Sequence, residues 1–197
     1  MVHTAPLLVY GLLGFSFMAK GWRQWWVLPS CSVLLLCCMA SVCHAELKTH
    51  QIKAAYLYQI SKFVFWPESR KQVDNFQVCQ LGPDNYGGTL QKMVGRTVFS
   101  KPVTIQTITS LKQAHQCHLL ILSNPEKIHP KGLRRLVSEH SVLTVVDGKD
   151  HAGIGMVAFV LEKKRVRLHI NLALAKLSGI TFAANLLEVA SEIHTDK

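Results

Sequence analysis

Cys117-His118-Leu119-Leu120-Ile121-Leu122-Ser123 is a nearly continuous apolar run bounded by polar turns, and its reading decides the fold. A strand with one face in water alternates apolar and polar residues. A run that is apolar at almost every position instead suits a strand buried on both faces, as in a parallel sheet covered by helices. Val142-Leu143-Thr144-Val145-Val146, ending at Asp147-Gly148, has the same character. Phe76, Val78, Cys79 and Leu81, closed by Gly82-Pro83, give a third short buried strand.

Working outward, the segments between these strands alternate in type. Pro130 to Glu139 places Leu133, Leu136 and Val137 on one side of a helix with proline in its first turn. A short helix is predicted around Leu111 to Ala114, and Asp84 or Asn85 caps another that carries Leu90 and Met93 and stops at Gly95. Val98 to Ile108 reads as one half-buried strand, with Val103, Ile105 and Thr107 alternating against Thr104 and Gln106 and with Pro102 near its start.

At the amino-terminal side, Ile52, Ala55, Tyr56, Ile60, Phe63 and Val64 recur at three- and four-residue steps, an amphipathic first helix in which Gln59 is the polar exception. Pro67 biases its predecessor out of the α region, so the helix is expected to end near Phe65 or Trp66. Toward the carboxyl end, Met156–Leu161 and Val166–Ile170 form a hairpin with Glu162 to Arg165 at its tip. Two closing helices carry Leu172, Ala175 and Leu177, then Leu186, Leu187 and Val189, punctuated by Asn171 or Ser178-Gly179. The expected fold is α/β: a single domain with a mainly parallel or mixed sheet flanked by helices on both faces, a Rossmann-like three-layer arrangement.

The first 45 residues read differently. Lys20 and Arg23 precede an apolar run from Trp25 to Met39, and small residues stand at Ser41, Cys43 and Ala45, the pattern of a secretory signal cleaved near Ala45. Met18 is an alternative start that gives a leader of more ordinary length. A retained membrane anchor is the competing reading, but Pro29, Ser30 and Ser32 interrupt the stretch of about 19 residues from Trp25 to Cys43. A lipid-anchor site is weaker still, because Leu36 and Val42 precede Cys37 and Cys43. Cleavage leaves residues 46–197 as one domain, with no linker, repeat or low-complexity segment. Loss of Lys20 and Arg23 lowers the net charge from +10 to +8. In an exported chain that charge favours phospholipid or an acidic protein face over nucleic acid.

Export also removes four of six cysteines and leaves Cys79 and Cys117, which in an oxidising compartment are expected to bond to each other. Both lie at or within buried strands that a doubly wound sheet can place side by side, within the reach of a disulfide. Closing a loop of about 39 residues constrains the unfolded chain by ~4 kcal/mol in the chain-entropy account. A plain structural staple and a redox switch both fit at this level.

Catalytic machinery is absent from the sequence pattern: there is no Gly-x-Ser-x-Gly elbow, His-Glu-x-x-His helix or phosphate loop. No cofactor is implied. His115 and His118 flank Cys117 without a metal-ligand arrangement, and the other histidines have no pairing at ligand spacing, so no metal site is expected. Asp147, with Asp150 and His151, sits after a buried strand, where open α/β sheets place ligands; a surface turn is the plainer reading. Arg167 and Asn171, at a strand-to-helix junction, are candidate contacts for an anionic ligand or partner, or ties for the chain's own loop. Trp66, beside Phe65, is either an aromatic binding surface or the plug that seals the first helix onto the sheet.

Several segments, taken in order, resemble the YfiR-like periplasmic family: Ala54-Ala55-Tyr56-Leu57-Tyr58 with Lys62-Phe63-Val64-Phe65-Trp66-Pro67, Val78-Cys79-Gln80-Leu81-Gly82, Gly95-Arg96-Thr97-Val98, Cys117-His118-Leu119-Leu120-Ile121, Val142-Leu143-Thr144-Val145, and Phe159-Val160-Leu161-Glu162 with Val166-Arg167-Leu168-His169-Ile170-Asn171. The resemblance covers essentially all of residues 46–197. It implies a non-enzymatic periplasmic regulator that binds and inhibits the periplasmic sensor region of an inner-membrane diguanylate cyclase, lowering cyclic di-GMP and biofilm formation. It implies a family disulfide at Cys79 and Cys117, associated with stability and redox response, while a second cysteine pair of some members is missing around Asp147 to Met156. A homodimer is a further partner reading. The alternative function is a periplasmic small-molecule binding protein that signals to another membrane partner. A thiol oxidoreductase fits poorly, since no Cys-x-x-Cys occurs in the exported part.

Overall fold

The computed structural model describes residues 49–195. The expected signal segment and its cleavage point therefore lie outside the described residues. An α/β sheet organises the domain. Helix α1 (residues 49–62) leads into strands β1 (Val64–Phe65) and β2 (Phe76–Leu81), then β3 (Thr97–Val98), β4 (Lys101–Ile108) and β5 (Leu119–Leu122). Helix α2 (Pro130–His140), β6 (Leu143–Asp147), β7 (Val157–Glu162) and β8 (Arg165–Asn171) follow. The chain closes with α3 (Leu172–Ser178), β9 (Thr181–Phe182), α4 (Ala184–Glu188) and β10 (Glu192–His194).

Eight strands form one sheet in the order β10-β8-β7-β6-β5-β2-β4-β3. β4, β2, β5, β6 and β7 run parallel; β8 returns antiparallel to β7, and β3 is antiparallel to β4. The two nearly continuous apolar runs, now β5 and β6, occupy the middle of the sheet with Leu119–Leu122 wholly buried, as helix cover on both faces requires. One face packs with Leu57, Ile60 and Val64 from the amino-terminal segment and with Leu174 of α3. The other face packs with Ala114, Leu133 and Leu136. The predicted three-layer architecture is the observed one.

Local structure departs from the sequence reading in ways that have physical causes. Helix α1 stops at residue 62, short of Phe65, because Val64 and Phe65 pair antiparallel with Phe182 and Thr181 as β1 and β9. The segment Thr89–Met93 is a 3-10 turn, not an α-helix; Asp84 instead accepts hydrogen bonds from the amides of Tyr86 at 2.8 Å and Gly88 at 2.6 Å, closing the loop before it. Leu111–Gln116 is likewise 3-10, started by a reciprocal cap between Ser110 and Gln113.

Val98–Ile108 is not one strand. It folds back at Phe99 and Ser100, whose φ values of 50° and 63° make the two-residue loop that right-twisted hairpins favour. Lys163 and Lys164 do the same between β7 and β8, at φ 47° and 64° without the usual Asn-Gly. The last strand, β10, had no counterpart in the sequence reading: it lies parallel to β8 and pairs Glu192 with His169 and His194 with Asn171. Among the described residues no helix is long and apolar enough to cross a membrane.

Candidate functional site

Two features expected from sequence, the cysteine pair and Trp66, meet in one region at the amino-terminal ends of the central strands. Cys79 lies in β2 and Cys117 just ahead of β5, the strand beside it, and the two are joined by a disulfide with their Cα atoms 5.8 Å apart. Cys79 and Cys117 are 1% and 0% exposed, so the bond is closed to reductants in the folded protein. It sits in the α2-side core with Ile108, Ala114, Leu133 and Val142.

Immediately outside the bond, Arg70 ties the chain together. Its guanidinium donates to the carbonyl oxygen of Cys117 at 2.5 Å and to that of His115 at 3.2 Å, while burial lowers its pKa. His118 continues the network. Its Nδ1 accepts from the Gln77 amide at 3.1 Å, which leaves the proton on Nε2, 3.2 Å from the Arg70 carbonyl oxygen. Burial first, and then the neighbouring Arg70 charge, push the His118 pKa down to about 4, so the ring is neutral at physiological pH.

An aromatic cavity stands against this network. His118 stacks on Phe76 with ring centroids 4.9 Å apart, and Trp66 meets Phe76 edge-on at 5.4 Å and Phe99 at 6.0 Å. The cavity of about 390 Å³ is lined by Phe65, Trp66, Val73, Phe76, Val98, Phe99 and His118, with Arg70, Lys71 and Lys101 supplying positive charge. Trp66 is itself 5% exposed and its indole Nε1 has no hydrogen-bond partner. It is thus both a plug and a wall of the cavity. Phe65 and Phe99 stand half out in solvent at 52% and 51%. Phe99 reaches that position through a left-handed backbone that bulky residues rarely adopt.

The chemistry of such a site is binding. An apolar hollow with a few convergent cations suits an aromatic or aliphatic group carrying negative charge, presented by a small molecule or by a partner's side chain. No nucleophile with an adjacent base lines it. A second, more open crevice of about 590 Å³ lies beyond the carboxyl ends of β4, β2 and β5, strand order reversing between β2 and β5, and includes Gly82, Ser110, Asn124, Lys127 and His129.

The remaining sequence candidates go elsewhere. Asp147 forms an ion pair at 2.8 Å with Lys53 of α1, clamping that helix to the end of β6. Buried Tyr86 is raised well above its ordinary pKa by desolvation and then by the charges of Asp147 and Asp84. Asn171 caps α3, its Oδ1 accepting from the Leu174 amide at 3.1 Å. Arg167 is exposed on β8 opposite Val160. None of the three lines either cavity. Arg70, His118, Phe99 and Lys101 were missed; only the Phe99-Ser100 break in an alternating run carried a sequence signal.

The YfiR/HmsC-like family model matches residues 50–191, nearly all of the described domain. The chain belongs to the YfiR/HmsC-like family. Members of that family are periplasmic regulators of diguanylate-cyclase signalling. No curated protein matches it. Among solved structures it is similar to an ABC domain in complex with L-Trp from Streptococcus pneumonia, at 10% identity and a TM-score of 0.39. The match covers 59% of this chain and 54% of that one. That likeness is too distant to inform function.

Proposed function

We propose that this protein inhibits an inner-membrane diguanylate cyclase by docking on its periplasmic sensor region, with the cavity around Trp66 and Phe99 as the contact. The observation behind this reading is the pair of half-exposed aromatics, Phe65 and Phe99, rimmed by Arg70, Lys71 and Lys101 and braced from behind by the disulfide. Aromatic and arginine residues around a pocket are the usual centres of binding energy in protein interfaces. A cationic rim speeds encounter with an acidic face. Inhibition lowers cyclic di-GMP and restrains biofilm formation.

Redox response enters through folding. The buried bond is out of reach once the domain has formed, so reducing conditions act on the opening or newly exported chain, which then loses its shape and releases the cyclase. Deleting the gene is expected to raise cyclic di-GMP; no rise in any growth condition overturns the inhibitor reading.

A second reading keeps the cavity and changes its occupant. About 390 Å³ suits a small aromatic anion, which supports a periplasmic binding protein that signals to another membrane partner. A thermal-shift screen of aromatic acids tests it, and the absence of any stabilising ligand counts against it.

A further inference from the structure

The edge of the sheet farthest from the aromatic cavity in strand order holds a second constellation. His169 of β8 is opposite Glu192 of β10 in register, and His194 lies two residues further along, on the same side of its strand as Glu192. The His169 Nδ1 is 3.1 Å from Glu192 Oε2, and the His194 Nε2 is 3.4 Å from Glu192 Oε1. One ligand atom from each of the three residues falls within 4.8 Å of the others. On the other side of the His169 ring, Nε2 is 3.5 Å from Glu162 Oε1 of β7.

Two imidazole nitrogens here lack a hydrogen bond: His169 Nδ1 and His194 Nε2 are both buried as atoms, with only the Glu192 carboxylate beside each of them. The His169 side chain is only 2% exposed, so its Nδ1 is a deeply buried polar atom aimed into the cluster without a hydrogen bond. Glu192 and His194 remain open to solvent, at 47% and 41%.

We propose that His169, Glu192 and His194 form a binding site for a late first-row divalent cation, zinc foremost. Two neutral imidazoles and one carboxylate are a donor set that such ions favour over magnesium or calcium, with water completing the sphere on the exposed side. Bonds of ~2.0–2.1 Å at a tetrahedral angle put neighbouring ligand atoms ~3.3 Å apart; His169 Nδ1 stands 3.1 Å from one Glu192 oxygen and His194 Nε2 3.4 Å from the other, so the carboxylate reaches an ion shared by both rings through one oxygen or both. Glu162 stands where a carboxylate orients a ligating histidine by taking the proton on its far nitrogen. The ion satisfies both orphaned nitrogens and fastens the three-residue strand β10, the terminal edge of the sheet, to β8.

The test uses protein purified from the periplasm, stripped with a chelator and titrated with zinc chloride by calorimetry, with cobalt(II) absorption as a second readout. The expected result is one zinc per chain at micromolar affinity or tighter, visible cobalt bands of a four-coordinate site, and no response to magnesium. His194→Ala and Glu192→Gln are both expected to weaken binding by at least tenfold. Glu162→Gln is expected to weaken it by about 10–100-fold, the usual effect of losing a carboxylate behind a ligating histidine. His194→Ala alters a half-exposed edge residue, and its unfolding temperature without metal checks that it folds. Absence of zinc binding by the native protein overturns the site, as does zinc binding that both His194→Ala and Glu192→Gln leave unchanged.

Discussion

Arg70 holds Cys117 by its backbone: the guanidinium donates to the Cys117 carbonyl oxygen, next to a disulfide that already fixes the side chain of the same residue. One residue further on, His118 enters the wall of the aromatic cavity. The covalent staple and the aromatic cavity are therefore one unit, and disturbance of either reaches the other through a single peptide.

Substituting both Cys79 and Cys117 by serine is expected to destabilise the domain by about 2–4 kcal/mol, given the 38-residue separation of the bridge. Urea unfolding of the variant against the oxidised native protein measures this. An equal midpoint for the two would show that the staple contributes nothing.

Arg70→Ala leaves two carbonyl oxygens without their donor and is expected to cost about 1–3 kcal/mol. Arg70→Lys should recover only part of that, because an ammonium cannot reproduce the planar fork. Thermal denaturation of both variants decides; full rescue by lysine would contradict the forked contact.

Phe99→Gly separates architecture from docking. Relief of the left-handed strain at φ 50° offsets the lost edge contact with Trp66, so stability should stay within about 1 kcal/mol. Affinity for the cyclase's periplasmic domain should fall by about 2 kcal/mol or more, roughly 30-fold. Surface plasmon resonance with that domain reads the effect, and unchanged affinity would remove Phe99 from the interface.

Acid should loosen the domain through His118. Above its ordinary value of 6.5 the ring is neutral folded and unfolded, and the contribution is fully present. As the pH falls from 6.5 toward about 4 the unfolded chain takes up the proton first, so stability declines across that window and levels off below it. The loss has an upper bound of about 3 kcal/mol, reduced by water in the adjoining cavity. Proton NMR of the His118 ring should give a midpoint near 4, and a midpoint near 6.5 would refute the shift.

The extent of sequence legibility follows the range of the interactions involved. Leu119–Leu122 and Leu143–Val146 were readable as central strands because burial on both faces demands apolar side chains at nearly every position, a condition written locally. The short helical segments were placed but mistyped: Thr89–Met93 and Leu111–Gln116 wind as 3-10 turns, since brief crossovers give an α-helix too little length to repay its nucleation. Whether Trp66 is a plug or a surface is not legible locally: it is buried and yet lines the cavity, because its surroundings depend on Phe76, Phe99 and His118 arriving from elsewhere.

By itself the sequence determined the α/β layering and the family; both follow from composition and order along the chain. Only the tertiary structure decided that Arg70 reaches Cys117, that Asp147 is taken by Lys53, and that His169 faces Glu192 and His194. Parallel strands join through long crossovers, so sheet order, and with it every side-chain cluster at a strand end or edge, is fixed by packing between distant segments and leaves no local mark.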